Sequence, residues 1–117
     1  MEILKLDSLV EFSTAKYVRV PIKNTNGLVR LLYLEPGQAV PLHNHPDGDE
    51  VFYVLSGGAE FTVGKEIAQM SAGSFVRAVA GIYHSWKNGS ERLILISILT
   101  PPSSHKLADQ ATKMEFV

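Results

Sequence analysis

The chain has 117 residues, 45% of them hydrophobic and 20% charged, with no cysteine and four histidines. That length is the size of one domain with a core of its own, and the missing cysteines exclude disulfide frameworks, thiolate metal sites and cysteine nucleophiles. With 11 basic against 12 acidic residues and a formal charge of −1, there is no electrostatic reason to expect nucleic acid as a partner.

A bilayer span needs roughly 20 mostly apolar residues, and the longest unbroken apolar run, Val51 to Leu55, is only strand-sized. No membrane segment is expected. The opening Met1-Glu2-Ile3-Leu4-Lys5-Leu6-Asp7 carries charges where a secretory signal needs an apolar stretch, so a cytoplasmic location is expected.

In chain order, short β-type runs alternate with turn residues, and little recurs at helical spacing. Tyr17 to Ile22 alternates polar and apolar, with Pro21 marking an edge strand or a bend. Val29 to Leu34 follows, closed by Glu35-Pro36-Gly37, and then Ala39 to His45. Pro46-Asp47-Gly48-Asp49 is a string of turn formers before Glu50 to Leu55, which predicts a hairpin. Gly57-Gly58 turns the chain into Ala59 to Val63, Gly64-Lys65 reads as a two-residue turn, and Glu66 to Met70 returns, which extends the pattern to a meander. Ser74 to Val79 and Tyr83 to Lys87 are separated by Ala80-Gly81. Leu93 to Leu99 is apolar enough for a strand buried on both faces, and beyond Pro101-Pro102 the chain turns polar, with room for a helical turn or two between Ser103 and Met114. The fold class is all-β, a sandwich or barrel in one domain.

His43 and His45 are two apart in a run read as a strand, so their imidazoles leave the same face. A hairpin through Pro46 to Asp49 sets Glu50 beside them, while His84 reaches the same place only through tertiary folding. Together the three imidazoles and the carboxylate make an inner shell for a borderline divalent metal, with open positions left on a six-coordinate ion. In a chain with four histidines a chance His-x-His pair is common, so the pair alone is weak.

The glycine frame around the pair strengthens it. Gly37, five residues, His43-Asn44-His45, four residues, Glu50, six residues and Gly57 is one motif; Gly73, five residues, Val79-Ala80-Gly81, two residues, His84, three residues and Asn88 is a second. In both, the sequence resembles the cupin family over roughly Val29 to Leu99. Val79 stands where the second motif has proline, a turn-shaping position that holds no ligand. The motif glycines fall at bends, where positive φ or a close backbone approach is needed.

The resemblance implies a cupin-type double-stranded β-helix, a jelly-roll barrel over residues 28–100 that is open at one end, with N-terminal strands over 1–27 making dimer contacts and a C-terminal tail over 101–117. It implies that His43, His45, Glu50 and His84 hold a divalent transition metal (Mn, Fe, Ni, Co or Zn). Strand alternation turns Phe52, two after Glu50, and Trp86, two after His84, toward the metal as pocket walls. His105 in the tail reads as a solvated histidine, Asp47 and Asp49 as turn residues, Asn88 as a structural hydrogen bonder and Tyr83 as outward-facing. The facing of Arg30 and Arg77 does not follow from the sequence. The leading segment Glu2 to Ile22 and the strand Leu93 to Leu99 are expected outside the ligand-bearing strands, available for a homodimer by sheet extension. Functionally the resemblance implies a small-molecule metalloenzyme of dioxygenase, isomerase, decarboxylase or lyase type. The alternatives are a non-catalytic module that binds or senses a small ligand or metal, and a metal-free sugar-binding barrel; fold alone does not choose among them.

Overall fold

In a computed structural model, residues 1–22 and 26–101 are described. Among these residues a short 3-10 turn at Leu6–Leu9 precedes nine strands: β1 Val18–Ile22, β2 Leu28–Leu34, β3 Ala39–His43, β4 Asp49–Ser56, β5 Gly58–Val63, β6 Glu66–Ser71, β7 Phe75–Ala78, β8 His84–Asn88 and β9 Leu93–Thr100. They form a five-stranded sheet in the order β1-β2-β9-β4-β7 and a four-stranded sheet in the order β3-β8-β5-β6, antiparallel at every pairing. The all-β barrel is the double-stranded β-helix expected of the sequence.

Period-2 patterning sets the core. Leu32 and Leu34 from β2, Phe52 and Val54 from β4, Ala59 and Phe61 from β5, Trp86 from β8 and Leu93 and Leu95 from β9 meet between the sheets. Each large aliphatic or phenyl side chain among them stabilises the fold by about 1.5–3 kcal/mol when removed from water. A second cluster lies on the outer face of the large sheet, where Leu9 and the partly buried Leu4 and Phe12 cover Val18, Val20, Leu31 and Tyr33. The N-terminal segment is thus a lid on an otherwise exposed sheet face.

Several expectations are corrected. Ala39–His43 and Asp49–Ser56 are not a hairpin: β3 pairs with β8, and β4 pairs with β7 and β9. Likewise β4 and β5 do not continue a meander, because Gly57 carries the chain from one sheet to the other. Turn residues show where a chain reverses, but the same reversal can close a hairpin or cross a barrel. The Gly64-Lys65 turn does join the paired strands β5 and β6. His45 lies beyond the end of β3, in the loop. Leu93–Thr100 is neither peripheral nor buried on both faces: it is the central strand, its inward residues are buried, and outward Ile98 is 41% exposed. The edge position that Pro21 suggested is the one β1 occupies. The tail from 102 onward, including His105, lies outside the described residues.

Candidate metal centre

The candidate ligands come from both sheets. His43 ends β3 and His84 begins β8, and the two are direct cross-strand partners. Glu50 is the second residue of β4 in the opposing sheet, so the strand that was expected to bring it alongside as a hairpin instead brings it face to face. His45 is placed by loop contacts: the Gly81 N–H donates to its carbonyl at 2.9 Å, and the Asn44 amide donates to the Gly81 carbonyl at 3.1 Å. The Ala80 N–H donates to the Asp49 carboxylate at 2.7 Å, which ties the start of β4 to the loop before β8. Asp49, read from the sequence as a turn residue, is also a clamp between the two motif loops.

One ligand atom from each of His43, His45, Glu50 and His84 lies within 4.8 Å of the others. His43 is half-buried and the other three are buried. The Nδ1 atoms of His43 and His84 donate to the carbonyls of Pro41 and Ile82 at 2.7 and 3.0 Å. Those bonds fix the tautomer and leave each neutral ring with its Nε2 lone pair for a ligand. The His84 Nε2 lies 3.1 Å from Glu50 Oε1, and His45 Nε2 lies 2.9 Å from the same oxygen. With Nδ1 of His84 already committed as donor, its Nε2 meets a carboxylate oxygen lone pair to lone pair unless a cation, or a second proton on the ring, stands between them. The donor set therefore fits a divalent ion, and nitrogen with carboxylate oxygen suits Mn, Fe, Co, Ni or Zn.

The far side of the carboxylate is also held. Arg30 Nη2 donates to Glu50 Oε2 at 2.7 Å, and the Ser97 hydroxyl donates to the same oxygen. Glu50 is fully buried. Burial alone would raise its pKa, but hydrogen bonds donated by Nε2–H of His45 and, when its ring carries a second proton, of His84, with the Arg30 charge and the Ser97 hydroxyl, outweigh it and hold the carboxyl well below the usual carboxylate range. Burial lowers the pKa of His43, with His84 and His45 reinforcing it and the Pro41 carbonyl and Glu50 opposing. It lowers that of Arg30 too, against the pull of Glu50.

Phe52 is fully buried, its ring 4.6 Å from that of Trp86 and 5.7 Å from that of His84. Trp86 bounds a cavity of about 140 Å³ together with His43 and Arg30. A larger cavity, about 340 Å³, lies toward the β6 and β7 edges, where Phe61, Met70 and Val76 line it and none of the four candidate ligands does. Arg77 is exposed, Arg30 points inward, and Tyr83 is 55% exposed. The Asn88 amide donates to the carbonyls of Leu34, Glu35 and Glu91, tying the β8–β9 turn to the end of β2. Sequence reasoning left Arg30 unassigned and passed over Ser97. Their signal was polarity out of place, each being the only hydrophilic residue in an apolar strand, LVRLLYL and LILISILT before its terminal Thr100.

The sequence and the fold are matched by known proteins. A cupin-domain family model matches residues 30–99. An uncharacterized protein of Streptomyces coelicolor is 36% identical over 83 residues, 71% of this chain and 78% of that protein. A crystal structure from Thermus thermophilus superposes with a TM-score of 0.82 at 33% identity, covering 86% of this chain and 98% of that one. The quercetin 2,3-dioxygenase of Bacillus subtilis is 34% identical over 77 residues, which span 64% of this chain but only 23% of that enzyme. Among the described residues no helix is long and apolar enough to cross a membrane. With a barrel of two antiparallel sheets, both sequence motifs and a family model covering residues 30–99, the chain belongs to the cupin family.

Proposed function

We propose that the protein is a metal-dependent cupin enzyme acting on a small molecule, with His43, His45, Glu50 and His84 as the metal ligands. The observation that carries this reading is the convergence of the four donor atoms within 4.8 Å, with the His84 Nε2 lone pair aimed at the Glu50 carboxylate in a buried site. Arg30 balances the Glu50 charge at Oε2, but Oε1, facing the Nε2 of His84 at 3.1 Å, calls for a cation or a second proton on the ring. When bound, a divalent ion would supply Lewis acidity or, as iron, oxygen activation. The chain's own residues do the rest. Pro41 and Ile82 carbonyls orient His43 and His84, Arg30 and Ser97 hold Glu50 with one oxygen toward the imidazoles, and Trp86 walls the cavity at His43. The resemblance to a dioxygenase supports oxygenase chemistry as the first reaction to test, although it spans only 23% of that enzyme.

The test is elemental analysis of the purified and reconstituted protein, followed by oxygen consumption of the iron-loaded form with small diols, thiols and keto acids. Stoichiometric metal with turnover is the expected result. Metal without turnover makes the protein a binding module, and no metal overturns the reading. We further propose a cytoplasmic homodimer that uses β1, the edge of the large sheet; a monomer mass by light scattering overturns the dimer.

A further inference from the structure

The cavity of about 140 Å³ beside His43 differs in character from the larger one. Two guanidinium groups line it, Arg30 and Arg19, and no carboxylate is among its lining residues. Arg19 sits on β1 directly opposite Leu32 of β2, two positions from the Pro21–Arg30 pair, so it shares the inward face of the sheet with Arg30. Its guanidinium stands 5.7 Å from the centroid of the Tyr17 ring. Arg30 has its counter-charge in Glu50, whereas no described carboxylate pairs with Arg19. Trp86, 3% exposed, supplies an aromatic wall to the same cavity, beside Leu32 and Val40.

We infer that this cavity is the ligand subsite of the centre and takes a small organic carboxylate, its anionic end held by Arg19 and its apolar body against Leu32, Val40 and Trp86. A cavity of this size is close to the roughly 150 Å³ that accommodates benzene, which limits the ligand to a compact molecule. Charge points the same way. Arg19 and Arg30 against Glu50 leave the site net positive, and a divalent ion adds to that, so an anion entering a partly desolvated cleft gains from every charge around it except Glu50. The planar guanidinium fork matches a carboxylate in geometry as well as charge. The inference deepens the metalloenzyme reading and rests on it for what the ligand does there, but not for its binding.

Trp86 is the single tryptophan of the chain, so intrinsic fluorescence reports on this cavity directly. The zinc-loaded protein and the chelator-stripped protein are each titrated with propanoate and benzoate, and with propanamide and benzamide as neutral analogues of the same shape. At least one carboxylate is expected to change the fluorescence saturably and to bind about tenfold tighter than its amide. In Arg19→Gln the carboxylate is expected to weaken about tenfold while the amide is unchanged, with near-UV circular dichroism confirming the fold. Equal affinity of carboxylate and amide, an unaffected Arg19→Gln variant, or no saturable response to either carboxylate overturns the inference. The two readings fail separately. A protein that binds no zinc but still selects carboxylate through Arg19 loses the metal centre and keeps the anion subsite, and one that binds zinc but does not distinguish acid from amide does the reverse.

Discussion

Arg30 and Glu50 come from strands separated by β9 and meet inside the barrel, Nη2 to Oε2 at 2.7 Å, with side chains 5% and 0% exposed. Ser97, directly opposite Arg30 on β9, donates to the same carboxylate oxygen. The carboxylate is thus held by one oxygen and offers the other to His45 and His84. Breaking such a buried pair from one side strands a charge, so Arg30→Met in the metal-free protein is expected to cost about 3–5 kcal/mol in urea unfolding. Ser97→Ala removes one hydrogen bond to a charged group and is expected to cost about 1–3 kcal/mol. The double variant Arg30→Met/Glu50→Gln should recover part of the first loss, because neither charge then remains. A single variant as stable as the parent would show that the pair contributes nothing to the fold.

Metal should stabilise the folded chain by mass action, since the unfolded chain does not gather ligands from both sheets. At an ion concentration a thousand times the dissociation constant the gain is about 4 kcal/mol, or on the order of 10 °C in melting temperature for a domain of this size. Glu50→Gln keeps the side-chain volume but replaces the anionic ligand with a neutral amide. The expected result is a melting curve that no longer responds to zinc, checked by scanning calorimetry with and without chelator. Ser97→Ala, which leaves all four ligands in place but frees the carboxylate to reorient, is expected to weaken the metal 10–100-fold, the usual effect of losing a ligand's supporting hydrogen bond. If Glu50→Gln shifted with zinc as the parent does, Glu50 would not be a ligand.

Two groups of the centre make the metal-free protein acid-labile, and they act in the same direction. His43 has a folded pKa below its ordinary value of 6.5, chiefly because burial disfavours the imidazolium. Protonation therefore favours the unfolded chain, so its contribution is complete above pH 6.5 and is lost as pH falls through the lowered folded value. Glu50 is held below its ordinary value of 4.5, so its contribution is present above that pH and declines as the solution becomes more acid. The metal-stripped protein is expected to lose melting temperature in a first step below pH 6.5 and a steeper one below 4.5. His43→Gln should flatten the first step only. A profile level between pH 7 and 5 in the parent would contradict the burial of His43.

The strands were legible because alternation and turn residues speak directly to backbone geometry. Gly37, Gly57, Gly73 and Gly81, read as bends, all have positive φ. The four candidate ligands were legible from spacing and resemblance, and the structure brings their donor atoms together. What failed was pairing. Pro46-Asp47-Gly48-Asp49 reads locally as a hairpin loop, yet β3 and β4 belong to opposite sheets, a choice made by distant strands that local residues do not encode. The same blindness hid the role of LILISILT: its apolar run signals burial, but only the β2-β9-β4 order shows that Ser97 sits under Glu50. Arg30 was unreadable for a related reason, since strand parity gives two faces and the chain alone does not say which one looks inward.

Gly57 and Gly73 separate two reasons for glycine that the sequence cannot tell apart. Both have left-handed backbones, φ +83° and +90°. A Cβ on Gly73 would meet nothing within 4 Å, so Gly73→Ala carries the conformational cost alone, about 1–3 kcal/mol. A Cβ on Gly57 would lie 2.3 Å from the Arg92 carbonyl oxygen, where the chain crosses between the sheets against the start of β9. Backbone must move to admit it, and the strand that would move carries Ser97 and backs Glu50. Gly57→Ala is therefore expected to unfold more easily than Gly73→Ala by at least a further 1 kcal/mol or so, as overpacking adds to strain, and to lose zinc-dependent stabilisation along with it. Parallel urea titrations with and without zinc measure both effects, and equal losses in the two variants would mean that the close approach to Arg92 is not a constraint on the fold.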